Sequence, residues 1–322
     1  MATTEEQRID QLAEIFQASD PAVTVGIGDD AAVLAPVAAP LVWTVDAAVE
    51  GTHFRREWLS FEDIGYRSTM AAASDLAAMG AEPLGVLAAL VLPDDVGDAE
   101  LAALARGQHE AATSLGTAVI GGNLARGREL SITTTALGRT PTPLLRRGAR
   151  PGDALWLIGP VGLAAAGLRL LMAGHPIEDD AARACVEAWR RPRARIPSGL
   201  AMRTAATAAV DVSDGLARDV GHLARASGVR AVLDVARLEA ALLTAVADRL
   251  GVPPLDLALF GGEDYALAFA APEDARVPGA LRIGRLEPLD DTKTAALVIA
   301  AHPDGSRAPL RSGGYDHFAQ ER

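Results

Sequence analysis

The chain is almost without lysine. Among its 322 residues only Lys293 is one, and the remaining positive charge is arginine. A P-loop lysine behind a glycine-rich turn is therefore missing, and so is the strand lysine of protein kinases. Cysteine is nearly absent too. Cys185 stands alone, which excludes an internal disulfide and a thiolate zinc site. No apolar run approaches the roughly 20 residues that span a bilayer. The longest conspicuous one, Leu84 to Leu92, ends at Pro93. The polar start, with Glu5, Glu6, Arg8 and Asp10, argues against a secretory signal. These absences point to a cytoplasmic protein with no membrane partner. The net charge of −12 leaves no basic face for nucleic acid. Any phosphate chemistry must then rest on arginines, backbone N–H groups and cations held by carboxylates.

What is present is apolar periodicity along the whole length, enough for two cores. Ile9, Leu12, Ile15 and Phe16 predict an amphipathic helix over Glu5 to Ala18. Further helices are expected at Ser60 to Met79, Asp98 to Leu115, Leu163 to Ala173, Ala181 to Trp189, Pro197 to Ala206 and Leu216 to Ser227. Strands are expected at Val23 to Ile27, Ala32 to Leu34, Leu41 to Val45, Leu84 to Leu92, Ala118 to Gly121 and Ser131 to Leu137. In the second half they are expected at Ala154 to Ile158, Ala208 to Val212, Ala231 to Val235 and Ala266 to Ala270. A stretch rich in Pro, Gly and Arg at Thr140 to Gly152 separates the halves. The reading is an α/β fold of the α+β type, with mixed α/β domains at 1–140 and 141–322.

Acidic residues recur where strands meet glycine-bearing turns. The strings are Gly26 to Ala32 with Asp29-Asp30, Thr44-Val45-Asp46 followed by Glu50 to Phe54, and Ser74-Asp75 in a helix. The second half adds Asp211-Val212-Ser213-Asp214-Gly215 and Gly261-Gly262-Glu263-Asp264-Tyr265. Singly, each is an ordinary turn. Asp75 differs, because its neighbours are small or apolar and a carboxylate there needs a partner or a metal. As a set, the carboxylates suit magnesium, a hard cation that takes oxygen ligands and phosphate oxygens. Gly121-Gly122 allows close approach to a phosphate, with consecutive N–H groups as an anion nest. Arg146 and Arg147 offer forked contacts, or form a solvated linker. His53 alone is a weak signal, and Cys185 reads as core.

These strings, with Ser-Asp-Leu-Ala-Ala-Met-Gly-Ala and the terminal Gly-Tyr-Asp-His-Phe, resemble the thiamine-monophosphate kinase family in order and across residues 26 to 318. That family belongs to the aminoimidazole-ribonucleotide-synthetase-like superfamily. The resemblance implies two α/β domains, a homodimer joined through the N-terminal domains, and ATP and thiamine monophosphate as partners, with several Mg2+ ions as cofactor. By matching position it implies magnesium ligands at Asp30, Thr44, Asp46, Asp75, Asp211 and Asp214. ATP contacts fall at Gly121, Gly122, Arg146 and Ser213. Contacts with the thiamine phosphate fall at His53, Glu263 and Tyr315.

Asn123 stands where the family commonly has aspartate after the glycine pair, and it joins the metal set through its carbonyl oxygen without a charge. Val45 replaces the usual threonine before Asp46, and Leu124-Ala125 replaces Thr-Thr. The implied reaction needs no general base, because a phosphate ester with a second pKa near ~6 is already a dianion at neutral pH. The alternatives are an ATP-dependent synthetase or cyclo-ligase of the same superfamily, and a nucleotide-binding module that has lost catalysis. An N-terminal Cys-Lys pattern and a C-terminal cysteine, the marks of two relatives, are absent.

Overall fold

The computed structural model describes residues 4–16, 22–27, 31–238, 241–289, 296–310 and 313–314. The chain divides into one unit of residues 1–76 and 81–143 and another of residues 77–80 and 144–322.

In the first unit, helix α1 (Glu5–Ile15) begins with a reciprocal cap. The Thr4 hydroxyl accepts from the Gln7 amide, and the Gln7 side chain accepts from the Thr4 amide. Two donors that a helix start leaves unsatisfied are thereby paired. A short ribbon of β1 (Val23–Val25) and β2 (Val33–Leu34) follows. The rest is β3 (Leu41–Val49), α2 (Phe61–Ala78), β4 (Glu82–Leu92), α3 (Asp98–Ser114), β5 (Val119–Arg126) and β6 (Ser131–Arg139). The sheet order is β3-β6-β4-β5. Only β4 and β5 run parallel, and α3 supplies the crossover such a pair requires.

Two strands outrun their sequence signal. β3 continues past Val45 because each residue to Val49 finds a partner in β6. β5 continues through the glycine pair because β4 offers a ladder as far as Arg126. Gly122 permits that ladder, since a Cβ there would lie 2.0 Å from the Ala88 carbonyl oxygen. The helices meet as closely. A Cβ on Gly65 would lie 2.0 Å from the Leu104 oxygen, and one on Gly107 1.9 Å from the Glu62 oxygen. The backbones of α2 and α3 therefore touch, which only glycine allows.

Strand register sorts the sheet into two faces. Val45, Thr135, Leu87 and Gly121 form one cross-strand row, and Ala47, Thr133, Ala89 and Asn123 form the next on the same face. Thr44 and Asp46 alternate to the other face, as a two-residue period demands. That other face holds the buried Val86, Leu90, Ile132 and Ala136. On the first face Leu41, Trp43 and Val45 are 57%, 70% and 62% exposed.

The second unit comprises β7 (Ala154–Ile158), α4 (Leu163–Met172), α5 (Asp180–Arg190), α6 (Ile196–Met202), β8 (Ala208–Val212), α7 (Leu216–Ser227), β9 (Val229–Asp234), α8 (Ala241–Leu250), α9 (Pro254–Phe260), β10 (Ala266–Ala271), β11 (Ala280–Pro288), β12 (Val298–Ala301) and β13 (Arg307–Pro309). Its seven strands are ordered β13-β12-β9-β11-β7-β10-β8, antiparallel except for β9 with β12. β10 lies between β7 and β8, and all six of its residues are buried, as an unbroken apolar run anticipates. Full burial of a side chain such as Phe269 contributes about 1.5–3 kcal/mol. Cys185 belongs to this core, and burial pushes its thiol up to about 11. Among the described residues no helix is long and apolar enough to cross a membrane.

Candidate functional site

In the first unit the structure joins Thr44 to Asp75. The Thr44 hydroxyl on β3 donates to Asp75 Oδ2 on α2. This gives the helix carboxylate the partner that its apolar surroundings demand. Asp46 lies two residues on, on the same sheet face as Thr44, and its Oδ1 accepts from the Ala47 amide at 2.8 Å. Asn123 is on the opposite face. Gly121 and Gly122 precede it on the edge strand β5, where backbone groups not bonded to β4 point away from the sheet.

His53 sits in a tight turn after β3. Its amide donates to the Val49 oxygen at 2.9 Å, and its Nδ1 accepts from the Val49 amide at 3.1 Å. With Nδ1 an acceptor, the neutral ring carries its proton on Nε2. Glu50 in the same turn pairs with Arg56 at 2.6 Å. Also in this unit is a cavity of about 930 Å³, bordered by Leu12 of α1 and Phe16 just after it, by Trp43 and Leu87, and by Gly121 and Asn123. Its size lies within the usual range of small-molecule pockets.

In the second unit two motifs become neighbours because β8 pairs with β10, Val212 opposite Ala266. The Glu263 amide donates to the Ser213 oxygen at 2.7 Å, and the Tyr265 amide to the Val212 oxygen at 2.9 Å. Asp211 is buried on β8, and Asp214 lies 3.6 Å from Arg218. Asp219, which the motif reading omits, folds back from α7. Its Oδ2 accepts from the amides of Ser213 at 3.1 Å and Asp214 at 3.0 Å. Burial, then the charge of Asp211, pushes Asp219 up to about 7. The signal for Asp219 was present in the sequence, as an acid in the first turn after Gly215, but it read as an ordinary helix start.

Arg146 is exposed on the segment that enters this unit. Its carbonyl accepts from Ser227 Oγ at 3.0 Å, and the neighbouring Leu145 oxygen accepts from the Ala209 amide at 2.9 Å. The segment is thus anchored beside β8. The His222 imidazole is held below its ordinary value by burial, then by the charges of Arg146, Arg218 and Arg225.

The Gly261–Tyr265 loop is held in unusual conformations. Glu263 has φ 60° and Tyr265 φ 48°, in the left-handed region that non-glycine residues seldom occupy. Asp264 explains how this persists. Its carboxylate accepts from the amides of Gly162 at 2.7 Å and Ala164 at 3.2 Å, where α4 begins. Burial pushes Asp264 up to about 7, against the pull of those two amides.

Asp30 and Tyr315 lie outside the described residues. Among the described residues no three acidic, histidine or cysteine side chains stand close enough together to hold a metal on their own. The available donors are hydroxyl and carboxylate oxygens, which suit magnesium in kind. The charges of Asp211 and Asp214 both act to raise Asp219.

Both domains of the chain have known relatives. Residues 28–140 match the N-terminal domain of AIR synthase related proteins and residues 150–287 the C-terminal domain. A thiamine-monophosphate kinase of Escherichia coli O157:H7 is 36% identical, over 92% of this chain and 93% of that protein. One from Mycobacterium tuberculosis strain H37Rv is 37% identical, over 82% and 79%. The solved structure of AaThiL complexed with AMPPCP and TMP has a TM-score of 0.80 at 30% identity, covering 98% of this chain and 97% of that one. The hydrogenase maturation protein HypE in complex with ATP, at 18% identity and a TM-score of 0.76, shares the fold. By its sequence, both of its domains and its fold, the chain belongs to the thiamine-monophosphate kinase family of AIR synthase related proteins.

Proposed function

We propose that this chain transfers the γ-phosphoryl group of ATP directly to thiamine monophosphate, giving thiamine diphosphate and ADP. The observation that carries the reading is the near-complete match, in both chains, to a structure holding AMPPCP and TMP, an ATP analogue and the acceptor after which the family is named.

The acceptor phosphate is a dianion at neutral pH, so this chain's residues need to bind and orient rather than remove a proton. We assign ATP to Gly121 and Gly122 on the open edge of β5, to the exposed guanidinium of Arg146, and to Ser213. Ser213 is held in place by Asp219, which takes its amide. We assign the thiamine phosphate to His53, Glu263 and Tyr315. The Glu263 carboxylate complements the cationic thiazolium ring, and His53, whose Nδ1 takes the Val49 amide, offers Nε2–H to a phosphate oxygen. Magnesium is assigned to Asp30, Thr44, Asp46, Asp75 and Asn123 in the first unit and to Asp211 and Asp214 in the second. When bound, it neutralises phosphate charge and aligns donor and acceptor oxygens. Asn123 faces away from Thr44 and Asp46, so we assign it a separate ion.

We further propose that residues 1–140 form the metal- and ATP-binding domain and 141–322 a second α/β domain. The protein acts in the cytoplasm as a homodimer. The apolar face of Leu41, Trp43 and Val45 supports pairing of N-terminal domains, because a surface this apolar favours burial against a partner.

Chromatography of a reaction containing ATP, magnesium and thiamine monophosphate tests the function. Thiamine diphosphate and ADP are expected in equal amounts, with free thiamine a poor acceptor because no base is assigned for an alcohol. ATP-dependent cyclisation of an amide in place of diphosphate formation would overturn it.

A further inference from the structure

Trp189 belongs to none of the acidic or glycine-bearing motifs, yet it is bound to one of them. It is among the largest fully buried side chains, near the end of α5. Its indole Nε1–H donates to Glu263 Oε2 at 2.6 Å. Tryptophan has a single polar atom, a donor, and a donor to a carboxylate at this length forms a charge-assisted bond.

The backbone at Glu263 is already fixed from two other sides. Its amide is committed to the Ser213 oxygen, and the next residue, Asp264, takes two amides at the start of α4. With φ at 60° inside that clamp, the freedom left to Glu263 lies in its side-chain torsions. A buried indole packed in a core has one orientation to offer, so the bond to it selects one of those torsional states.

We infer that Trp189 is a positioning residue for acceptor recognition: its indole N–H holds the Glu263 carboxylate in the one orientation that receives a cationic heteroaromatic ring. The inference rests on the reading that the acceptor is thiamine monophosphate, whose thiazolium carries that charge. It extends recognition from the Gly-Gly-Glu-Asp-Tyr loop to α5, and it makes the contribution one of preorganisation, not of contact.

Trp189→Phe keeps the aromatic packing and deletes the donor. The KM for thiamine monophosphate should rise roughly tenfold, the scale of a hydrogen bond to a charged group. The kcat and the KM for ATP should stay within about twofold of wild type, since no transition-state contact is lost. In a Glu263→Gln background the same substitution should have no further effect on that KM, because both act through one carboxylate. A loss that spreads to ATP and kcat, or that adds to Glu263→Gln, marks a packing defect and overturns the inference. Should Trp189→Phe not fold, the indole resonance that moves on Glu263→Gln should also move when thiamine monophosphate is titrated into wild type. An unresponsive resonance overturns the inference equally. Wild type that forms no thiamine diphosphate overturns the functional reading instead. Wild type that forms it while Trp189→Phe keeps a normal KM overturns the inference alone.

Discussion

The Thr44 hydroxyl donates to the Asp75 carboxylate, and this bond ties strand β3 to helix α2. It makes the first prediction specific. Thr44→Val preserves shape and removes the donor, leaving a half-buried carboxylate short of a partner. Activity should fall roughly 10–100-fold, the range seen when a group orienting a metal ligand is lost. Excess magnesium should restore part of it, and Thr44→Ser should retain most of it. Asp75→Asn should abolish most turnover with the fold intact. Steady-state rates across a magnesium titration check both, and near-normal turnover of Asp75→Asn at limiting magnesium would show that α2 holds no metal.

Asn123 occupies the other face of the sheet, in a row with Ala47, Thr133 and Ala89. Asn123→Asp adds a charge where the carbonyl oxygen stands alone. The magnesium concentration for half-maximal activity should drop, while the dependence contributed by Asp75 stays as it was. An unaltered magnesium curve removes Asn123 from the ligand set.

Trp43→Glu places a charge in the middle of the exposed row of Leu41, Trp43 and Val45. Each of these side chains gains about 1.5–3 kcal/mol on burial, and a carboxylate among them reverses that. Light scattering on wild type should return twice the 33.3 kDa chain mass, and the variant should return a single chain. A wild type that stays monomeric at micromolar concentration contradicts the homodimer.

Burial pushes Asp264 up to about 7 in the folded chain, against an ordinary value of 3.8. Between those values the folded state holds a proton that the unfolded state has released. Its contribution to stability is therefore full below about 4 and is lost as pH rises through about 7. Asp264→Asn cannot ionise and lacks this slope. The variant should melt below wild type at pH 4, having lost one acceptor, and the gap should narrow towards pH 8. Melting curves at several pH values decide this, and a gap that stays constant would falsify retention of that proton.

Much of the fold was legible because its signals were local. The strand Ala208 to Val212 and the helix Leu216 to Ser227 coincide with β8 and α7, where apolar period and a flanking glycine agree. Helices α8 and α9 and strands β11 to β13 were not read. Pro253 and Pro254 obscure the start of α9, and β11 alternates imperfectly around a bulge between Arg282 and Gly284. The extension of β5 through Gly121-Gly122 was invisible for a different reason, since glycine carries no strand preference and the ladder belongs to β4. At the site, each acidic motif was visible as a string, and the joining of Asp211–Asp214 to Gly261–Tyr265 was not. Nothing in either string announces that β8 and β10 are neighbours. Asp219 and Trp189 escaped notice because their roles come from where their side chains end, not from what surrounds them in sequence.

The contact of α2 with α3 through Gly65 and Gly107 has the mechanics of a pivot. Asp75 lies ten residues beyond Gly65, about 15 Å along the helix axis. A single methyl group at either glycine would act as a wedge against a carbonyl, and the helix would swing about that point. An angular error too small to disturb the core is multiplied along the lever arm before it reaches the carboxylate that must meet Thr44. Sensitivity to mutation should therefore extend to a place remote from the carboxylate, where the tolerance is set by the absence of two carbon atoms.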